Sequence, residues 1–533
     1  MGRTVPAITG RPGQVELETL LRVAAVLGAA LDPLALGTML GLPPAAALER
    51  CEAALAARLL VVSGRDYEFA NDLIRDILYA STPEPTRLAY HRQAADLLTG
   101  QPEALARHAA AAGDWLRAGR AGLLAAEAAM GRYAASDAIT LATQALDAAR
   151  RSGDQEVAAR ALVARGRAHE ARGAHAAALD DLTEGAAGAR LAGDRRLEML
   201  ALRELGGDVP VSRGLPISYT AAALESGLRI AESLGDRASQ ADLLSRLAIV
   251  AGSRLQLDAA LDYGQRAEAA GRAAADSQAL AAGLDGLKLA CLCLGDTSGL
   301  RRVMAELDPL ARSLGDQFRL QWVEFESAFL AVAAGDWAAA RAAIEAAIVS
   351  NGTAGYPHCA AWYTAPLGWL ARLQGRDAEA IALGRRALGL TEQHEHGWWR
   401  AAASAMLGDT LLLAGERAEA IGLFERGLAA ARGPGAEAYV MRCAAPLAAA
   451  TGSPVVLAEA AGLLERAGLP DGGAWVLGYE SYVSLAGALV AAGEPDRARR
   501  VLAPLLAVAQ REPWVPVLAA VAAADGHALA ALG

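Results

Sequence analysis

The chain has 533 residues, a net charge of −10, 54% hydrophobic residues and a mean hydropathy of +0.22. Much of the apolar content is alanine, and the longest stretch without Asp, Glu, Arg or Lys (346–371) contains Pro357 and Pro366, so it does not read as a bilayer-spanning helix. The acidic balance disfavours nucleic acid, and Lys288, the only lysine, lies in a helical pattern without the glycine-rich turn of a phosphate loop or a Ser-x-x-Lys nucleophile.

The cysteines at 51, 291, 293, 359 and 443 show neither disulfide-framework nor zinc-site spacing and read as buried thiols. His169-Glu170 lacks the second histidine of a zinc protease motif, and His394 and His396 with His358 form an incomplete ligand set. No export signal is visible. We therefore expect no catalysis, no metal, no cofactor, no membrane partner and a cytoplasmic location.

In chain order, residues 1–18 read as an N-terminal extension and 19–105 as a winged-helix domain. Leu20 to Leu27 is an apolar helix, and Asp32-Pro33 caps a second that ends near Leu40. Leu42-Pro43-Pro44 turns into a third from Ala45 to Leu59, and residues 61–69 alternate around Gly64 as a two-stranded wing. Residues 1–100 hold nine arginines and eleven acids, a net of −2, and the third helix mixes Glu49, Arg50, Glu52 and Arg58. Groove binding needs a positive footprint, so direct nucleic-acid contact is not expected.

Residues 106–510 are repetitive. Gly295, Gly335, Gly375 and Gly415 stand forty residues apart, each followed five positions later by Leu300, Ala340, Ala380 or Ala420. Gly173 and Gly493 share the offset, and Tyr133, Gly214, Leu255 and Gly452 mark weaker hinges. A second comb half a period away reads Gly153-Asp154, Gly193-Asp194, Gly235-Asp236, Ala275-Asp276 and Gly315-Asp316. Glycine closes a helix in the left-handed conformation and Asp caps the next one, so each unit is a helical hairpin.

Small residues seven before the hinge (Gly166, Ala328, Gly368, Gly408) and twelve after it (Gly185, Ala347, Ala387, Gly427) let paired helices approach, with bulk supplied by Leu182, Ile344 and Phe424. This spacing resembles the tetratricopeptide repeat, in the longer variant of the maltose-regulator type of bacterial sensor. The fold expected is all-α: a right-handed superhelix of about ten helical hairpins after a small winged-helix domain. Residues 511–533 close it as a C-terminal capping helix. The stretch 206–219, with Pro210 and Pro216, and residues 446–454 interrupt the comb.

Six of nine tryptophans fall between 322 and 399. Trp322, Phe325 and Phe329 share one helix face; Trp362 with Trp369, then Trp398 with Trp399, occupy the first helices of the next two repeats. In a tetratricopeptide stack first helices line the concave face, so these rows with His358 and Arg400 form a candidate site for a small molecule or a peptide. The competing reading is that the same rings fill space between helices where alanine cannot. A catalytic reading would have to use His358, Glu324 and Glu326.

Residues 20–28, 59–60, 67–79 and 88–92 (Leu-Leu-Arg-Val-Ala-Ala-Val-Leu-Gly, Leu-Leu, Tyr-Glu-Phe-Ala-Asn-Asp-Leu-Ile-Arg-Asp-Ile-Leu-Tyr and Leu-Ala-Tyr-His-Arg) resemble the winged-helix segment of STAND-class signalling ATPases, many of them LuxR-type regulators. Asn71 stands where that family usually has histidine. The resemblance implies a P-loop ATPase domain as partner, in cis or in trans, and an effector on the concave face. It further implies an excised sensor half or a naturally short form, because neither that ATPase nor a helix-turn-helix is recognisable between residues 1 and 533. A stand-alone scaffold for protein partners is the alternative.

Overall fold

The computed structural model describes residues 12–28, 31–64, 66–394, 397–470, 473–512 and 514–532, without the side chains of 12–14, 208, 358 and 398. Most of the expected extension 1–18 therefore lies outside the described residues. The chain divides into two compact units, one running to Arg132 and including Asp137–Ala164, the other comprising Tyr133–Ser136 and Arg165 onward.

The first unit opens with α1 (Pro12–Leu27), α2 (Pro33–Leu40) and α3 (Pro44–Ala56). An antiparallel hairpin follows, β1 (Leu60–Ser63) on β2 (Asp66–Phe69), then α4 (Asp72–Ser81), α5 (Glu84–Leu97) and α6 (Pro102–Ala111). Asp32 caps α2 through the Leu34 amide and Asn71 caps α4 through Leu73 at 2.8 Å. Leu31 pairs with Tyr67 as a single antiparallel bridge on the other edge of β2. Leu20, Leu31, Leu36, Leu60 and Phe69 fill one core, so this unit rests on large apolar side chains. Helical hairpins begin within it: Gly122 packs Trp115–Gly131 directly on Ala145 of Ala135–Ser152.

The second unit is a stack of helical hairpins of tetratricopeptide-like kind, all-α among its described residues. Hinge residues Gly295, Gly335, Gly375 and Gly415 have φ between 69° and 87°, and the non-glycine hinges Tyr133 and Leu255 take the same left-handed conformation at 59° and 56°. The second comb caps as its chemistry demands: Asp194, Asp236, Asp276 and Asp316 each accept the amide three residues on, at 2.9–3.0 Å. A Cβ at Gly166 would lie 2.8 Å from Leu182 Cγ and one at Gly408 2.5 Å from the Phe424 ring, so small positions face the bulky ones within a hairpin. The interruption at 206–219 contains a one-turn helix, Asp208–Ser212, and Pro446 sits inside the helix Glu437–Thr451.

First helices of successive hairpins also pack on one another, as Arg237–Ser253 does on Ser277–Leu294 and Ala360–Leu373 on Gly397–Leu413, which places them inside the curvature. The curvature is tight. Trp514 Nε1 donates to Gly295 O at 2.8 Å across 219 residues, and the Gln317 amide donates to Tyr133 Oη at 3.3 Å across 184. Ile217 N donates to Pro434 O and Asp258 N to Gly468 O, so hairpins about five apart touch and successive superhelical turns close on each other. Ser277–Leu294 is the one described helix long and apolar enough to cross a membrane by length and composition; 67% of it is buried in the stack.

Candidate functional site

The aromatic rows lie on four successive first helices: Gln317–Ala334, Ala360–Leu373, Gly397–Leu413 and Glu437–Thr451. Trp322, Trp362 and Tyr439 each stand thirteen positions before a left-handed glycine (Gly335, Gly375, Gly452), and the equivalent position before Gly415 is Ala402. Where that rung is small, Trp399 fills in. It lies 5.6 Å from Trp362 and 6.5 Å from Trp322, while Trp362 meets Tyr439 edge-on at 6.2 Å. The rings thus form a ladder across four hairpins, with Trp322, Trp362 and Tyr439 half-buried along it.

A second layer lies beneath. Phe325 contacts Tyr363 at 5.2 Å and Phe329 at 5.5 Å, and Phe329 reaches Trp369 at 6.2 Å. Phe325, Tyr363, Trp369 and Trp399 are buried, so these rings fill the space between alanine-rich helices as packing does. Trp322, Phe329 and Trp362 keep part of their surface accessible, and Arg400 is exposed. The side chains of His358 and Trp398 lie outside the described residues. Trp362, Pro366, Trp399, Ala402 and Met406 border an apolar cleft of about 10 Å³, room for roughly one water-sized sphere.

Polar groups surround the ladder. Gln321, fully buried, accepts from Asn351 Nδ2 at 2.8 Å, and Glu324 accepts from Ser350 Oγ at 2.6 Å and Arg312 at 3.3 Å. The Tyr363 hydroxyl has no hydrogen-bond partner among the described residues, and burial pushes it well above the usual phenol range.

Sequence reasoning set Lys288 aside as a lone lysine; the fold makes it the centre of a buried charge cluster. Its Nζ lies 2.5 Å from both Asp285 and Glu326. One ammonium faces two carboxylates, so burial pushes Glu326 up to about 7 while the carboxylates hold Lys288 charged and above its ordinary value. Further along the same inner helices, Arg372 pairs with Glu480, and burial together with the Glu480 charge pushes Asp409 up to about 7. The signal for both clusters is a charged residue within an otherwise apolar first helix, as in Leu287-Lys288-Leu289 and Gly408-Asp409-Thr410.

None of the five cysteines is in a disulfide and all are buried; desolvation pushes Cys291 and Cys293 up to about 12, which makes them poor nucleophiles. Among the described residues no group of three or more His, Cys, Asp and Glu could hold a metal ion.

No family model and no curated protein matches the chain. Among solved structures, a signal transduction ATPase with numerous domains and a tetratricopeptide repeat sensor, from Pyrococcus horikoshii, is 12% identical. That match covers 99% of this chain and 68% of that one, with a TM-score of 0.38. A Rap protein complexed with competence and sporulation factor is 14% identical over 74% of this chain and 98% of its own, TM-score 0.44. The quorum sensor NprR from B. thuringiensis, in its apo form, is 12% identical over 73% and 98%, TM-score 0.36. Likeness at these identities is one of helical-repeat architecture.

Proposed function

We propose that the chain is the non-catalytic sensor or regulatory part of a STAND-type regulator, in which the repeat stack receives an effector and the winged-helix segment passes its occupancy to an ATPase domain. The observation that carries the reading is the ladder of Trp322, Trp362, Trp399 and Tyr439 across four inner helices. Such a face supplies stacking surface for recognition. For an effector to act, it has to bind one arrangement of the stack more tightly than another, and closely packed turns provide a state to be opened.

The cleft beside Trp362 is too small for a metabolite, which favours a polypeptide effector lying along the ladder over a buried small molecule. The same feature suits the alternative, a scaffold that holds a protein partner without an ATPase. Tryptophan fluorescence and thermal shift against panels of peptides, metabolites and nucleotides test the proposal. A saturable response to a peptide, lost in Trp362→Ala, is expected. A folded protein silent to every peptide and compound, and unable to associate with a STAND ATPase domain supplied in trans, would end the sensor reading.

A further inference from the structure

The first unit contains a buried chain of hydrogen bonds that the repeats and the aromatic ladder do not use. Tyr79 Oη on α4 lies 3.0 Å from His91 Nε2 on α5, His91 Nδ1 lies 2.9 Å from His108 Nδ1 on α6, and His108 Nε2 lies 3.4 Å from Arg107 Nη2. The same Arg107 nitrogen donates to Leu27 O, at the end of α1, at 3.1 Å. His91 and His108 are 5% and 0% exposed, so water does not serve in place of these partners.

A guanidinium only donates, and this fixes every proton in the chain. Facing Arg107, His108 Nε2 has to accept, which places the His108 proton on Nδ1, donating to His91. His91 Nδ1 then accepts, its proton sits on Nε2, and it donates to Tyr79 Oη. An added proton is poorly placed: on His108 Nε2 it would face Arg107, with the Leu27 carbonyl as the one group favouring it, and on His91 Nδ1 it would face the His108 N–H.

The surrounding charges agree. Arg87 on α5 lies over the Tyr79 ring and donates to Tyr79 O, and Arg107 on α6 completes a cationic surround. The nearby acids are engaged elsewhere: Asp72 and Asp76 with Arg75 on α4, Glu18 with Arg22 on α1 and Asp96 with Arg117; Glu103 on α6 is exposed and α2 carries no charge.

We propose that the Tyr79–His91–His108 chain is a proton-operated latch at the joint between the wing-bearing helices and the first helix of the repeats, holding α4, α5 and α6 together while both rings are neutral and releasing them in acid. Burial, then the guanidiniums, keep both rings below the ordinary 6.5, His108 at about 4. A base lowered in the folded state contributes stability that is present above 6.5 and lost as pH falls toward 4, because the open form takes up the protons.

Hydrogen exchange of the full chain from pH 7.5 to 4.5, corrected for intrinsic rates, tests this with ¹⁵N-histidine spectra. Amides of 72–111 should lose protection by about tenfold per pH unit for each proton taken up below pH 6.5, while those of 277–294 keep theirs. Arg107→Gln should move the midpoint upward, and the native spectra should show His91 protonated on Nε2 and His108 on Nδ1. Should that variant fail to fold, the tautomers of the unaltered protein decide the matter. Protection lost evenly along the chain, rings that titrate at 6.5, other tautomers or a midpoint unmoved in Arg107→Gln would each overturn the latch.

Discussion

The two units solve the same packing problem with opposite materials. The first unit brings short elements of unlike direction together around Leu20, Leu31, Leu36, Leu60 and Phe69, and its order depends on bulk. The repeat stack joins long, similar helices through glycine and alanine, so that backbones nearly touch: a Cβ on Gly283 would sit 2.3 Å from Ala267 O, and one on Gly271 2.6 Å from Ala279 O. A bulky core fails when volume is removed, and a close-approach interface fails when volume is added.

That contrast can be broken by two substitutions measured by calorimetry and segment-resolved hydrogen exchange. Leu20→Ala, at a position with no exposed surface, should cost about 2–5 kcal/mol and expose the amides of α1–α5. Gly283→Ala adds a single methyl against backbone that cannot swing away and should cost about 1–3 kcal/mol, with loss of protection centred on 257–294. If Gly283→Ala were neutral, or Leu20→Ala cost less than it, the division into bulk-filled and close-approach packing would be wrong.

A third test sharpens the comparison through pH. The first unit buries neutral histidines, whereas the inner helices of the second bury carboxyl groups held partly protonated. The sign is opposite for the two. Glu326, raised from 4.5 to about 7, contributes stability that is intact below 4.5 and lost as pH climbs to 7. Glu326→Gln carries no such titration. Relative to that variant the natural chain should lose roughly 1.4 kcal/mol per pH unit at most across this window, less where Lys288 relaxes toward the carboxylate. A pH-independent difference between the two would show that Glu326 stays ionised throughout.

Much of the repeat architecture was legible because its determinants are local. A left-handed glycine and an Asp three residues before the amide it caps act within one turn of chain, and both combs appear in the structure where the sequence puts them. Pairing of Gly166 with Leu182 and Gly408 with Phe424 was legible for the same reason, since both partners belong to one hairpin. The aromatic residues could be placed on neighbouring helices by register, but not divided into buried and half-buried rings. That division depends on Ala402, whose small side chain opens the rung that Trp399 occupies.

Contacts between turns were not legible. Trp514 finds Gly295 only through small rotations accumulated over about five hairpins, and no feature of either residue records that sum. The partners of Lys288 and the His91–His108 pair were hidden likewise, because a buried polar group needs a partner without its own position in the sequence saying which.

The smallest predicted effect tests how completely the packed layer under the ladder satisfies its polar groups. Tyr363 is wholly buried between Trp322 and Phe325, with its hydroxyl facing no donor or acceptor among the described residues. A hydroxyl that makes a good buried bond is worth about 1 kcal/mol net, and one that makes none is a cost of similar size. Tyr363→Phe keeps the ring and removes only that oxygen, so it should leave the stack as stable as before or more stable by up to about 1 kcal/mol. Thermal melts of the variant and the natural chain at one pH measure the difference. A loss of more than about 1 kcal/mol would mean that the hydroxyl is bonded. The layer beneath the ladder would then be a polar network, and the contrast between the charge cluster at Lys288 and a dry aromatic layer beside it would disappear.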